Sequence, residues 1–315
     1  MTRRLVFALL LVVPLAGVGA VAWMSFVRDD SDRGPSLALE PPAAPAYAAP
    51  PDVSPPGVPA VRLEGVDAFY LALRRPPRAG IVFDLRTGAV LWRRAPLRRL
   101  AVASLTKIMT ALLVVDGAGP REAVRITPAA LRYKGSGVGL LPRGRRVRLE
   151  TLLNGLLIVS GNDAAIALAV HVAGNERRFV ARMNRRARRW GLECTRFASS
   201  HGLENGNRSC ARDLAVLTRM AMQEPRIRRI AARERADFRF PTKGGRLYLS
   251  GHNPLMRLGY PGVLGLKTGY TEAAGRCFVG VARRRGRTLG VVLLDSPDPS
   301  RQAPKLLDAG FAAPL

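Results

Sequence analysis

Ala103-Ser104-Leu105-Thr106-Lys107-Ile108-Met109-Thr110 begins a run in which Leu105, Ile108, Met109, Leu112 and Leu113 recur at the i, i+3, i+4, i+7, i+8 spacing of a buried helical stripe. Ser104 and Lys107 are three apart, so on a helix they share a side turned away from that stripe. A serine at a helix start is ordinarily a cap. It becomes a nucleophile only when a nearby base takes its proton. Lysine can be that base when neutral, which at pH 7 costs about 4.6 kcal/mol in water, given a reference pKa of about 10.4. Burial and a second cation would have to supply that shift. Lysine is also scarce here. Of the 50 basic residues only Lys107, Lys134, Lys243, Lys267 and Lys305 are not arginine. Where arginine serves nearly everywhere, a retained lysine points to a proton that must come off, because arginine keeps its own.

Apolar runs lie on both sides of this segment. Ala79 to Asp84 and Ala89 to Trp92 flank the turn residues Arg86-Thr87-Gly88, and Cys277 to Ala282 and Thr288 to Leu294 flank Arg285-Gly286. Both read as β-hairpins. Between them are helical patterns at Leu152 to Val159, Ala164 to Val172, Phe179 to Trp190 and Ala211 to Met222, and a short last helix is expected from Lys305 to Phe311. Strands at both ends around a helical middle imply a mixed sheet built from distant segments, with a helical subdomain inserted: the α/β (α+β) class.

Two further motifs carry chemistry. Ser160-Gly161-Asn162 falls between two helical patterns. Capping is the ordinary use of such residues. Their chemical use would be a hydroxyl that relays a proton to a leaving amine and an amide that holds Lys107 and a substrate carbonyl. Lys267-Thr268-Gly269 follows an apolar approach and reads as an edge strand that something must approach closely. Its ammonium and hydroxyl suit a terminal carboxylate, through charge-assisted hydrogen bonds worth about 1.5–3 kcal/mol each. The three motifs start 56 and then 107 residues apart.

S-x-x-K, S-x-N and K-T-G in this order, together with His201-Gly202-Leu203 and Gly265 to Thr271, resemble the serine D-alanyl-D-alanine carboxypeptidases, the low-molecular-mass penicillin-binding proteins. The likeness runs from about Ala79 to Phe311. It implies a β-lactamase/transpeptidase-like fold, an antiparallel sheet flanked by helices with an inserted helical subdomain. It implies Ser104 as nucleophile, Lys107 as its base, and Ser160 and Asn162 in proton relay and positioning. Lys267, Thr268 and Gly269 would meet the substrate's terminal carboxylate, and the backbone N–H groups of Ser104 and Tyr270 would form the oxyanion hole. The His201 motif is expected to be structural. The reaction implied is removal of the terminal D-alanine from peptidoglycan pentapeptides through an acyl-serine, with β-lactam antibiotics as inhibitors and no cofactor. Three unclustered histidines offer no metal site. Many relatives carry a β-rich domain and an amphipathic anchor after the catalytic part, and neither is expected here.

Other readings share parts of this pattern. A β-lactamase needs a further base to drive water onto the acyl-serine. Glu204 is the nearest candidate, but Asn207 follows at three residues where class A enzymes have four, and Gly161 stands where they have aspartate. A D,D-transpeptidase differs only in using an amine acceptor. A non-catalytic wall-binding module is opposed by the intact Ser104, Lys107 and Lys267.

The net charge of +27 either serves solubility or marks acidic partners: nucleic acid, anionic lipid or an anionic wall polymer. Seven arginines between Arg177 and Arg189 form a solvated helix face or, second, an anion-binding surface. Residues 1–27 contain an uncharged apolar run, Leu5 to Val27, behind Arg3-Arg4. Its 23 residues suit a transmembrane anchor with the chain outside, while Ala20-Val21-Ala22 suits signal cleavage. Either way the remainder is expected to be extracytoplasmic, which together with the lack of a recognition motif argues against nucleic acid. Residues 28–62, with nine prolines from Pro35 to Pro59, read as a Pro/Ala-rich linker, and 63–315 as the catalytic domain. Export permits disulfides. Cys194 and Cys210 flank a polar, Gly-rich loop and are the candidate pair, with Cys277 left as a core thiol.

Overall fold

The alternation of the first apolar run sets the middle of the structure. In the computed structural model, which describes residues 58, 60–241 and 244–314, β1 (Ala79–Asp84) is buried throughout. Ala79, Ile81 and Phe83 enter one apolar cluster and Val82 enters another, as the two-residue period of a strand requires. β1 reverses into β2 (Val90–Arg94) through a turn in which Asp84 Oδ1 accepts from the N–H groups of Arg86 and Thr87.

A long insertion follows: β3 (Leu100–Ala101), α1 (Lys107–Gly117), β4 (Ala123–Arg125), α2 (Pro128–Leu131), β5 (Arg146–Arg148), α3 (Leu149–Ile158), α4 (Asn162–Ala173) and α5 (Glu176–Arg189). It continues through β6 (Arg208–Ser209), α6 (Ala211–Gln223), α7 (Pro225–Ala231), β7 (Arg235–Arg239), β8 (Arg246–Ser250) and α8 (Pro254–Arg257). The chain then returns as β9 (Val263–Thr271), β10 (Gly275–Arg284) and β11 (Arg287–Leu294) and finishes in α9 (Pro299–Ala312).

The five long strands lie in the order β2-β1-β11-β10-β9, and every pairing is antiparallel. The mixed sheet expected from pattern alone is therefore corrected. The insertion crosses the length of the sheet before β9 begins, so β9 and β11 run with β2 and against β1, from Ala79 opposite Leu294 to Asp84 opposite Leu289. One face meets the insertion, whose central helix α1 buries every residue from Lys107 to Val114. The other face meets α9 through Val82, Leu289, Val291, Leu293, Leu306 and Leu307.

Two boundaries differ from the sequence reading. α9 starts six residues before the expected Lys305. Pro299 occupies its first turn, where no N–H is needed, and Asp298 accepts from the N–H of Arg301. Pro304 removes one internal hydrogen bond without ending the helix. The packed body also begins before residue 63, since Val61 joins the core and Arg62 bridges to Ala89. The apolar segment over residues 1–27 and most of the 28–62 linker lie outside the described residues. No described helix is long and apolar enough to cross a membrane.

Candidate active site

The Ser104 segment is positioned by a short turn and one glycine. Ala103–Thr106 form a 3-10 turn ahead of α1, in which side chains three apart eclipse. Ser104 and Lys107 therefore meet more directly than on an α-helix: Lys107 Nζ lies 2.9 Å from Ser104 Oγ. Ala103 holds a left-handed φ of 47°. Gly202 supports it, because a Cβ there would sit 2.0 Å from the Ala103 carbonyl oxygen.

Lys107 is fully buried, and its pKa lies well below the usual lysine range, first through loss of hydration and then through the charge of Lys267. Its other two contacts are Asn162 Oδ1 at 2.7 Å and the His201 carbonyl at 2.8 Å. The Asn162 amide orientation follows from its far side, where Nδ2 donates to the Lys134 carbonyl at 2.6 Å. Both Asn162 Oδ1 and the His201 carbonyl can only accept. A neutral amine has two hydrogens and one lone pair. The hydrogens go to those two oxygens, and the lone pair is left aimed at Ser104 Oγ. The arrangement can thus draw the serine proton onto nitrogen as the oxygen attacks.

Ser160 adopts φ 61°, a left-handed conformation that a non-glycine residue holds only under constraint, and its buried hydroxyl has no hydrogen-bond partner among the described residues. Asn162 and Asp163 hold the opposite wall. The Asn162 N–H donates to the Ser136 carbonyl, and the Asp163 carboxylate accepts from the N–H groups of Val138 and Gly139.

Ser104, Ser136, Ser160, Thr268, Gly269 and Tyr270 line one cleft of about 740 Å³. β9 forms its edge wall. A Cβ at Gly269 would fall 3.1 Å from the Ser104 nitrogen and 3.2 Å from the Val102 oxygen, so glycine permits this close approach. Lys107, Asn162 and Lys267 are buried and are not among the residues that line the cleft. Lys267 has its pKa pushed down to about 7 by loss of hydration, and its Nζ donates to the Thr268 carbonyl at 2.8 Å. His252 also faces the cleft, with its pKa lowered by burial, Arg257 and Lys267. Cys277 is at the floor, its thiol pushed up to about 12 by burial.

Glu204 does not line the cleft. It lies 3.7 Å from His201 Nε2 and meets Asn207 within its own loop. That loop is closed by a disulfide between Cys194 and Cys210. The His201 carbonyl and the Lys134 carbonyl are members of the site that the sequence reading did not name. A main-chain acceptor carries no side-chain signature, although the His-Gly-Leu triplet marked one of the two places.

The sequence profile of the D-alanyl-D-alanine carboxypeptidases matches residues 76–298. A Mycobacterium tuberculosis protein named D-alanyl-D-alanine carboxypeptidase DacB2 is 37% identical over 246 residues, covering 75% of this chain and 83% of that protein. D-alanyl-D-alanine carboxypeptidase DacF of Bacillus subtilis is 33% identical over 76% of this chain, which spans only 63% of that relative's length. Among solved structures, a D-alanyl-D-alanine carboxypeptidase from Mycobacterium tuberculosis superposes with a TM-score of 0.73 at 33% identity, over 84% of this chain and 97% of that one. A mutant of the Streptomyces K15 DD-transpeptidase gives 0.71 at 30% identity, over 76% and 100%.

Proposed function

The chain belongs to the D-alanyl-D-alanine carboxypeptidase (peptidase S11) family, and we propose that it removes the terminal D-alanine of peptidoglycan stem pentapeptides through an acyl-enzyme on Ser104. The observation that carries this reading is the buried Lys107, whose Nζ touches Ser104 Oγ while Asn162 Oδ1 and the His201 carbonyl take its other two hydrogen-bonding positions. Ser104 Oγ attacks the penultimate carbonyl as Lys107 takes its proton. The N–H groups of Ser104 and Tyr270 receive the developing oxyanion. Ser160 passes a proton to the departing amine of D-alanine. Lys267 and Thr268, with Gly269 leaving room, hold the terminal carboxylate. Water then releases the shortened peptide, and a β-lactam entering by the same route stays attached to Ser104. The apolar N-terminal run supports an extracytoplasmic, membrane-attached or secreted setting.

Incubation with a purified muropeptide pentapeptide and mass analysis of the product tests the proposal. Loss of one alanine is expected. It should disappear in Ser104→Ala, together with labelling by a fluorescent penicillin, while the circular dichroism spectrum is unchanged. Lys107→Arg should lose at least about 10²-fold in acylation, because arginine cannot become the base. An unchanged pentapeptide with the wild-type protein would sink the reading. A second reading, transpeptidation, draws support from the likeness to the Streptomyces K15 DD-transpeptidase, and would show as a crosslinked dimer when an amine acceptor is supplied. Glu204, turned toward His201 and Asn207, gives a β-lactamase no second base in the cleft, so slow release of penicillin is expected.

A further inference from the structure

A second cavity, of about 310 Å³, lies where the C-terminal ends of α1 and α4 meet α5. Its lining is dominated by Arg182, Arg185, Arg186 and Arg189, against a single carboxylate, Asp116. The spacing i, i+3, i+4, i+7 puts all four guanidinium groups on one side of α5. Two are anchored. Arg186 donates to Asp116 Oδ2 at 2.6 Å and lies 4.9 Å above the Trp190 ring, and Arg182 donates to the Val172 carbonyl at 2.9 Å. Arg185 and Arg189 are exposed and, among the described residues, have no partner. The lining therefore holds two free cations beside two fixed ones, and like charges at this spacing repel. An anion with several acceptor oxygens relieves that repulsion and matches the planar fork of each guanidinium.

The cavity shares no lining residue with the Ser104 cleft. It lies at the opposite end of α1, which puts it roughly 15 Å from Lys107 along the helix axis. We propose that it is a binding site for the phosphate groups of an anionic polymer, a phosphodiester-linked chain, and this stands independently of the reading of the cleft. Arg182 to Arg189 span about 10 Å at 1.5 Å per residue, longer than one phosphate, which favours a repeating anion over a single ion. The site is concave, and none of the large exposed apolar side chains, Val66, Tyr70, Leu140, Leu203, Tyr248, Leu258 and Tyr270, is on α5. A membrane-binding helix would present such groups beside its cations.

The test is titration of the full-length protein with poly(glycerol phosphate), read by the fluorescence of Trp190. Parallel arms use inorganic phosphate and phosphatidylglycerol vesicles. Binding to the polymer is expected to weaken as salt rises. It should fall at least tenfold in Arg185→Gln/Arg189→Gln, with penicillin acylation of Ser104 unchanged. Arg235→Gln/Arg239→Gln on β7 removes the same net charge elsewhere and should bind as wild type. Trp190→Phe should abolish the signal but not the binding measured by calorimetry. Equal loss in both double variants would mean that general charge is responsible and would overturn the site. Tighter binding to vesicles than to polymer, lost with Arg185 and Arg189, would overturn the polymer in favour of a lipid surface. No binding to the polymer by the wild-type protein would overturn the proposal outright.

Discussion

Lys267, held at about 7 by burial, is close to half-charged at neutral pH in the free protein, whereas Lys107 is displaced downward by both burial and the neighbouring ammonium. The two lysines are asked for opposite states, neutral at 107 and cationic at 267. A pH profile of kcat/KM on a carboxylate-terminated peptide should rise as Lys107 loses its proton and fall above about 7 as Lys267 loses its own. Lys267→Arg keeps its charge, so any activity it retains should lack the falling limb. A falling limb that stayed near pH 7 in that variant would remove Lys267 from the explanation. Stability follows the same linkage. Between about pH 7 and 10 the unfolded chain keeps a proton at 267 that the folded protein lacks, so stability should rise with pH across that window, by up to about 1.4 kcal/mol per unit from Lys267 alone, and Lys107, also displaced downward, adds in the same sense. Lys267→Met should reduce the slope in denaturant melts, leaving the part due to Lys107. These two positions were legible in the sequence because lysine stands out against so much arginine. The Asn162 amide was legible too, as a holder of Lys107, but the His201 carbonyl was not, since a main-chain oxygen 94 residues away becomes a partner only on folding.

At the level of elements, the period-two runs gave both hairpins and the period-3.6 runs gave the long helices. A proline hid the start of α9, and the 3-10 turn carrying Ser104 has no pattern of its own. Its geometry is imposed by neighbours, chiefly Gly202. With φ 92° and a Cβ position 2.0 Å from the Ala103 oxygen, Gly202→Ala cannot fit without moving the turn. A shift of about 1 Å in a reacting group can cost about 10²-fold. Penicillin acylation of Gly202→Ala should fall by about that factor while secondary structure persists. Acylation at the wild-type rate would mean that the turn is set from elsewhere.

Across the whole molecule, the Cys194–Cys210 bridge ties down the loop that supplies both Gly202 and the His201 carbonyl. Closing a loop of this length contributes about 3 kcal/mol in the chain-entropy model. Replacing both cysteines by alanine should lower Tm by roughly 6–12 °C for a domain of this size, and raise the variability of acylation before unfolding sets in. An unchanged Tm would show that the loop is held by packing alone. The sequence could pair these cysteines because they flank one loop. It could not assign neighbours in the sheet, because that order joins the start of the catalytic part to its end. β1 lies against β11, and the turn carrying Ser104 lies against β9. On the ribosome, Ser104 emerges roughly 190 residues ahead of Leu294, on the order of ten to forty seconds at usual synthesis speeds. Throughout that interval the nascent chain has a serine and a lysine but not the completed sheet that holds the β9 wall. A chain arrested ahead of the β10–β11 hairpin should therefore take up no penicillin, so Ser104 is chemically silent until that hairpin has been made.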